Sequence, residues 1–511
     1  MNPVASFFAL PRMTAVCLLS SVLCLLASGC AKREPPPAFA QILRISQRNE
    51  PAALDPQLAT LPDEFFIIRA LSEGLVTPNP AGGAPLPAAA ASWGASADGL
   101  TWTFHLADTL WSNGDPVTAQ DFVFMIHRAQ DPATAAPKAA LFHAVRSATA
   151  PDKRTLVITL ARPMADFPAL VASGPWIPVH PATVEKYGRD WTRPGNFIGN
   201  GRFLLLDWQP NQRLSVRKNP RHHDAAGTEI AGIDFVAFDY SETEERAFRT
   251  GQVDVTMAVP VTKLATYRNA EPGVLRTVPL YETRYLAVNT QRPPLNDPRV
   301  RAALSLALDR EALVGKVLKA GQKPAFTFVP RGLGDYQPVA KLTEDATRAR
   351  RLLAEAGFPE GKGFPKLELS TWSANTPVLE AIQQRWREQL GIEVALGQRE
   401  ARTHLAALAA GGFDLGFAPA IPDYDSASDL LVRLTTDDAN NYPHWSDAEY
   451  DRLVAAGGPD LVKAETRLLE ALPVIPLYFN TKNFLLRPAV RGWKEDPLWT
   501  RYYDHLSLAE K

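Results

Sequence analysis

The sequence predicts a mixed α/β fold divided among several domains. Three observations carry this expectation. The chain has 511 residues, too many for one ordinary core. Its hydrophobic period switches repeatedly between two residues and about 3.6. Its 44 prolines fall largely in X-Pro connections such as Asp55-Pro56 and Asp297-Pro298, which suit short elements joined by stiff turns.

Taken in order, the first thirty residues are a processing segment rather than part of the fold. Arg12 precedes an apolar run from Ala15 to Leu26, shorter than the roughly 20 residues a bilayer-spanning helix needs. Ala27-Ser28-Gly29 supply the small residues a peptidase cleft accepts, and Cys30 follows. The layout is a signal peptide ending in a motif like a bacterial lipobox, with Cys30 as the lipidation site. A plain signal peptide that leaves Cys30 as a stray thiol is the alternative, and Met13 offers a second start. All three cysteines, Cys17, Cys24 and Cys30, lie in this segment, so the mature chain carries no disulfide and no thiolate metal site. Lys32 to Pro37 reads as a tether.

Strand and helix signals alternate beyond the tether. Leu100 to Leu106 alternates apolar and polar residues, as do Leu156, Ile158 and Leu160, and Ile233 to Tyr240 is a short apolar run fit for a buried strand. Thr118 to Asp121 has capping-box spacing ahead of Phe122, Met125, Ile126 and Ala129 on one helix face. A second helix start is read at Ser241 to Glu244. A third helix is expected to open at Thr343 and stop at Gly357. Val378, Ile382, Trp386 and Leu390 define a fourth, ended by Gly391 before a strand at Ile392 to Leu396.

Composition and motifs exclude several functions. A formal net charge of -1 gives no electrostatic case for nucleic acid. The sequence has no G-x-S-x-G, H-E-x-x-H or Walker A motif, and Gly199-Asn200-Gly201 lacks the third glycine of a dinucleotide loop. His222-His223-Asp224 is a weak metal candidate, since adjacent side chains usually point apart and no further histidine lies at ligand spacing. The expectation is a binding protein with no enzymatic activity, cofactor or metal.

A series of segments then resembles one family. They are Leu54-Asp55-Pro56, Glu73-Gly74-Leu75-Val76, Asp98 to Phe104, Trp111 to Val123, Ile198 to Gly201, Lys218-Asn219-Pro220, Pro294 to Ala303, Asp309-Arg310 and Ile475 to Tyr478. In this order they resemble the peptide/nickel family of extracellular solute-binding proteins of ABC importers, over essentially the whole mature chain. The resemblance implies a two-lobed, hinged, periplasmic-binding-protein-like fold with mixed sheets and an extra family-specific domain. Residues 1–29 are read as the signal peptide and 30–40 as the tether. Lobe I comprises 41–72, 198–284 and 488–511, the extra domain 73–197, and lobe II 285–487.

The resemblance also implies a function and a site. The expected function is capture of short peptides and their delivery, by a lipid-anchored monomer in the periplasm or at the cell surface, to an ABC permease and ATPase. In peptide-binding members an Asp-Tyr motif after an apolar strand takes the peptide ammonium. Here that motif is Asp423-Tyr424 after Phe413 to Phe417, with Asp423 as the anchor, Tyr424 packing around it and Asp425 as a rival. Trp372 is read as either a side-chain pocket wall or a core residue. No basic residue stands in Phe417 to Ile421, so the partner of a peptide carboxylate is left open. Other cargoes, among them nickel chelates, haem, opines and sugars, and a peptide-sensing or scavenging receptor remain as alternatives.

Overall fold

The computed structural model describes residues 41–271, 273–372 and 375–509; Cys30 and the apolar run before it lie outside them. Among the described residues no helix is long and apolar enough to cross a membrane. The folded body, Ile42–Lys511, is mixed α/β and contains three larger sheets.

A four-stranded sheet runs Ile42–Gln47, Gly232–Ala237, Arg213–Lys218, Phe203–Gln209 in spatial order, with the first pair parallel and the others antiparallel. Leu43, Ile45, Phe203, Ile233 and Phe235 turn one face of it into a core with Phe66, Ile67 and Leu71 of the helix Pro62–Leu71. A second sheet, antiparallel, orders Ala90–Ala95, Thr101–Leu106, Thr155–Leu160 and Val145–Thr149. The alternation read in these strands sends Phe104, Leu106, Leu156 and Ile158 inward. They meet the helix Ala119–Gln130, whose Phe122, Met125, Ile126 and Ala129 are all buried.

The third sheet has six strands, ordered Lys323–Pro324, Val474–Leu485, Leu275–Val288, Leu415–Ala420, Leu367–Trp372, Val394–Arg399. Its two long strands serve more than one core. Leu286, Val288, Ile475 and Leu477 pack with Trp386 and Ile382, whereas Val278 and Phe484 pack with Leu43, Phe66 and Trp499. The ladder between them breaks register between Pro279 and Thr283, where one body gives way to the other.

Local reasons for these elements are readable. The helix Thr376–Leu390 buries Val378, Ile382, Trp386 and Leu390, and Gly391 ends it at φ 68°, a conformation glycine adopts freely. The helix expected at Thr343 begins later, at Ala346, because the Asp345 carboxylate accepts from the Arg348 N–H at 2.9 Å and caps it. At Ser241–Arg249 a helix does form, but Glu244 does not cap it. Its carboxylate accepts instead from the Ser46 hydroxyl and the Met257 and Ala258 N–H groups.

Several of the segments that carry the resemblance converge at one junction. Asn200 is buried, and its side chain exchanges two 3.0 Å hydrogen bonds with the Glu73 backbone. Gly201 lies so near the chain at Leu71 that a Cβ would sit 2.4 Å from the Leu71 carbonyl carbon. Any side chain there would push the strand from Phe203 away from the helix Pro62–Leu71.

Candidate functional site

Asp423 sits in the turn between the strand Leu415–Ala420 and the short helix Ala427–Val432. Its backbone N–H donates to Asp429 Oδ2 at 2.7 Å, which fixes the turn on the first residues of the helix. Its carboxylate takes two cations: Lys138 Nζ at 2.5 Å on Oδ1 and Arg433 Nη2 at 2.8 Å on Oδ2. Arg433 also reaches Asp429, at 2.9 Å. Two carboxylates and two cations thus balance at the edge of the cavity.

The four charges are tuned by burial and by one another. Burial works to raise the Asp423 pKa, but Lys138 and Arg433 outweigh it and hold it below the ordinary carboxylate value. Asp429 is pushed up to about 6 by burial, with the neighbouring Asp423 charge adding to it against the pull of Arg433. Arg433 is held charged by both carboxylates.

The adjoining residues are structural clasps. Tyr424 is buried and packs into the core formed mainly by residues 75–176. Asp425 accepts the Gly334 N–H at 2.7 Å, and Ser426 donates to the Asp166 carboxylate. Lys138–Asp423, Ser426–Asp166 and the Tyr424 ring therefore tie the segment 423–426 to the second sheet's body at three points. Burial raises the Asp425 pKa against its bond to Gly334.

Asp423, Tyr424 and Asp425 line a cavity of about 340 Å³ together with Phe65, Arg69, Lys138, Trp499 and Arg501. The volume is within the usual range for small-ligand sites. Trp372 lies elsewhere. It packs on Phe417 and His404 with ring centroids 5.5 and 5.7 Å away, and the Arg284 guanidinium covers it at 5.7 Å. Lys138, Arg433 and Arg501 were not singled out in the sequence. Only Arg433 left a local signal, four residues after Asp429 on one helix turn.

The histidine pair behaves differently from the expectation that adjacent side chains diverge. His222 and His223 turn the same way, with ring centroids 4.2 Å apart, and both reach Glu73, at 3.2 and 2.9 Å. The three form a cluster with metal-ligand atoms in reach of one another. His222 Nδ1, however, accepts the Asp224 N–H at 3.1 Å, which leaves Nε2 to carry the proton and donate to Glu73. The cluster is a hydrogen-bonded carboxylate between two imidazoles. Burial works to raise the Glu73 pKa, yet the two imidazoles lower it to about 2. In turn the bond to Glu73 raises His223.

Two bodies that share two long strands, with a charged and aromatic cavity bordered by segments from both, are the arrangement of a two-lobed solute-binding protein. The family model for bacterial extracellular solute-binding proteins, family 5 (middle), matches residues 84–442, and the chain belongs to that family. It is 33% identical over 480 residues to the periplasmic murein peptide-binding protein MppA of Escherichia coli (strain K12), covering 87% of this chain and 89% of that one. To the probable deoxycholate-binding periplasmic protein YgiS of the same strain it is 32% identical, covering 90% and 91%. The solved structure of the Escherichia coli murein tripeptide binding protein MppA superposes with a TM-score of 0.80 at 32% identity, covering 92% of this chain and 99% of that chain. The family is one of substrate-binding proteins.

Proposed function

We propose that this chain captures short peptides outside the cytoplasmic membrane and delivers them to an ABC importer, held at the membrane by a lipid on Cys30. The observation that carries the peptide reading is the Asp423 carboxylate on the cavity wall, bonded at 2.5 Å to an alkylammonium, that of Lys138. A peptide amino terminus is the same chemical group and competes for the same oxygen. The names of the murein peptide-binding relative and of the solved tripeptide-binding structure support that cargo class.

The test is a thermal-shift titration with di-, tri- and tetra-alanine, each also N-acetylated. Ligand at about 100 times its Kd adds about 2.7 kcal/mol of stability. Free peptides are expected to raise Tm, acetylated ones to fail, and Asp423→Asn to abolish the difference. Equal shifts from free and acetylated peptides would remove Asp423 from the role of ammonium anchor. The deoxycholate-binding relative favours one second reading, a cargo with a carboxylate and no amine. That reading predicts a shift with deoxycholate and none with any peptide.

A further inference from the structure

Arg501 presents an unsolved charge. Its side chain is 3% exposed, and none of the ion pairs among the described residues includes it. Its one hydrogen-bond partner is the Met257 sulfur, 3.6 Å from Nη2, and a thioether is a weak acceptor. Nε is buried with no partner. Burying a guanidinium without an acceptor is costly.

Four aromatic rings hold this cation in place. Its Cζ lies 4.0 Å from the Trp499 ring centroid, 4.5 Å from Phe66, 5.0 Å from Trp493 and 5.9 Å from Phe484. Such faces attract the positive charge and fix the guanidinium plane, but they accept none of the in-plane N–H groups. Two of those rings add donors of their own, because Trp499 Nε1 and Trp493 Nε1 are also buried and unpartnered. Lys482 places a second ammonium 5.3 Å from the Trp499 ring. Trp499 keeps its position at φ +58°, a backbone conformation that costs any residue with a Cβ.

Asp496, Asp63 and Glu495 lie near enough to act on Arg501 through space, yet none forms an ion pair with it, and Glu495 pairs with Arg276 at 3.9 Å instead. Asp496 accepts from the Tyr502 hydroxyl and from the Thr500 N–H at 2.7 Å, and Asp63 accepts from Asn49 at 2.6 Å. Around Arg501 there are thus unfilled donors, and Arg501 and Trp499 line the same cavity as Asp423.

We propose that Arg501 is the anion subsite of this cavity and takes a carboxylate of the cargo, in a forked guanidinium–carboxylate contact. The proposal deepens the peptide reading above and rests on it for the identity of the cargo. It supplies the carboxylate partner that the stretch Phe417 to Ile421 does not provide. The carboxylate belongs either to the peptide's C-terminus or to an acidic side chain.

The experiment measures binding by calorimetry to the full chain and to Arg501→Met and Arg501→Lys. Arg501→Met keeps an apolar stem among the rings, Arg501→Lys keeps the charge without the fork, and Tm reports folding of each. The probes are tri-alanine as free acid, tri-alanine amide, and Ala-Glu-Ala amide. For the wild type, amidation is expected to weaken binding about 10- to 100-fold, the loss of one charge-assisted forked contact. Tighter binding of Ala-Glu-Ala amide than of tri-alanine amide shows that an acidic side chain fills the subsite, and a loss on amidation without that gain assigns it to the C-terminus. In Arg501→Met, acid and amide should bind alike.

A parallel arm omits peptides and records the Tm of each protein with acetate and with deoxycholate. If no peptide binds the wild type but these carboxylates stabilise it over Arg501→Met, the peptide reading falls and the anion subsite stands. If a folded Arg501→Met still separates acid from amide as the wild type does, the subsite is overturned. It is overturned equally if the wild type binds tri-alanine acid, tri-alanine amide and Ala-Glu-Ala amide alike. The same holds if neither peptide nor simple carboxylate distinguishes the two proteins.

Discussion

Replacing Glu73 by Gln keeps the shape of the side chain and removes the charge on which two imidazoles converge. The depression of Glu73 from 4.5 to about 2 corresponds to about 3 kcal/mol. Its side chain is 18% exposed, so solvent screening takes little from that figure. Because Glu73's folded pKa is depressed, its contribution is present above 4.5 and lost as pH falls toward 2. His223 is raised above 6.5, so its share is present below 6.5 and lost as pH rises through the raised value. The cluster therefore stabilises most between about pH 4.5 and 6.5. With an unfolding entropy of about 2.1 cal/mol/K per residue over a body the size of Ile42–Lys511, about 3 kcal/mol shifts Tm by about 3 °C. Scanning calorimetry of wild type and Glu73→Gln at pH 3, 5.5 and 9 should show that gap at pH 5.5 and smaller gaps at both ends. One gap of the same size at all three values would refute the electrostatic account and leave only shape.

Two further predictions concern buried charge. Arg310 has no exposed side-chain surface and donates to the Pro476 carbonyl at 2.8 Å and to Glu344 at 3.0 Å; Arg310→Met should cost about 3 to 5 kcal/mol in urea unfolding, and Arg310→Lys should not recover it. Asp429, pushed up to about 6, binds its proton more tightly folded than unfolded, so its contribution is full below 3.8 and lost as pH rises through 6. The Tm of Asp429→Asn should therefore fall less than that of wild type between pH 4 and 6.5, and parallel curves would remove Asp429 as the titrating group.

Much of this fold was legible because its signals are local. Val378, Ile382, Trp386 and Leu390 recur along one helix and are buried together, and Gly391 ends that helix, all within sixteen residues. Boundaries failed where two capping residues competed, as Thr343 and Asp345 did. The candidate site was half legible. Asp423 was named from the family resemblance, and its place on the cavity wall follows from a turn and strand contiguous in the chain. Lys138, 285 residues away, carries no mark in the sequence of the pairing it makes. Arg501 sits in a run of aromatic residues, Trp499 to Tyr503, that reads equally well as plain core. His222 and His223 were misread because a backbone N–H on Nδ1 and a shared carboxylate override the usual divergence of neighbours.

The strands Leu275–Val288 and Val474–Leu485 bear on what capturing a cargo costs. Domains joined by a flexible linker lose translational and rotational freedom when they come together on a ligand, and that loss subtracts from affinity. Here the two bodies share one hydrogen-bonded ladder, whose register shifts between Pro279 and Thr283 and again between Arg284 and Tyr285. Continuous strands hold the mutual orientation of the bodies far more narrowly than a linker would, so much of the orientational disorder is already removed before any ligand arrives. Contacts made in the cavity are then free to set how tightly, and for how long, a cargo is held.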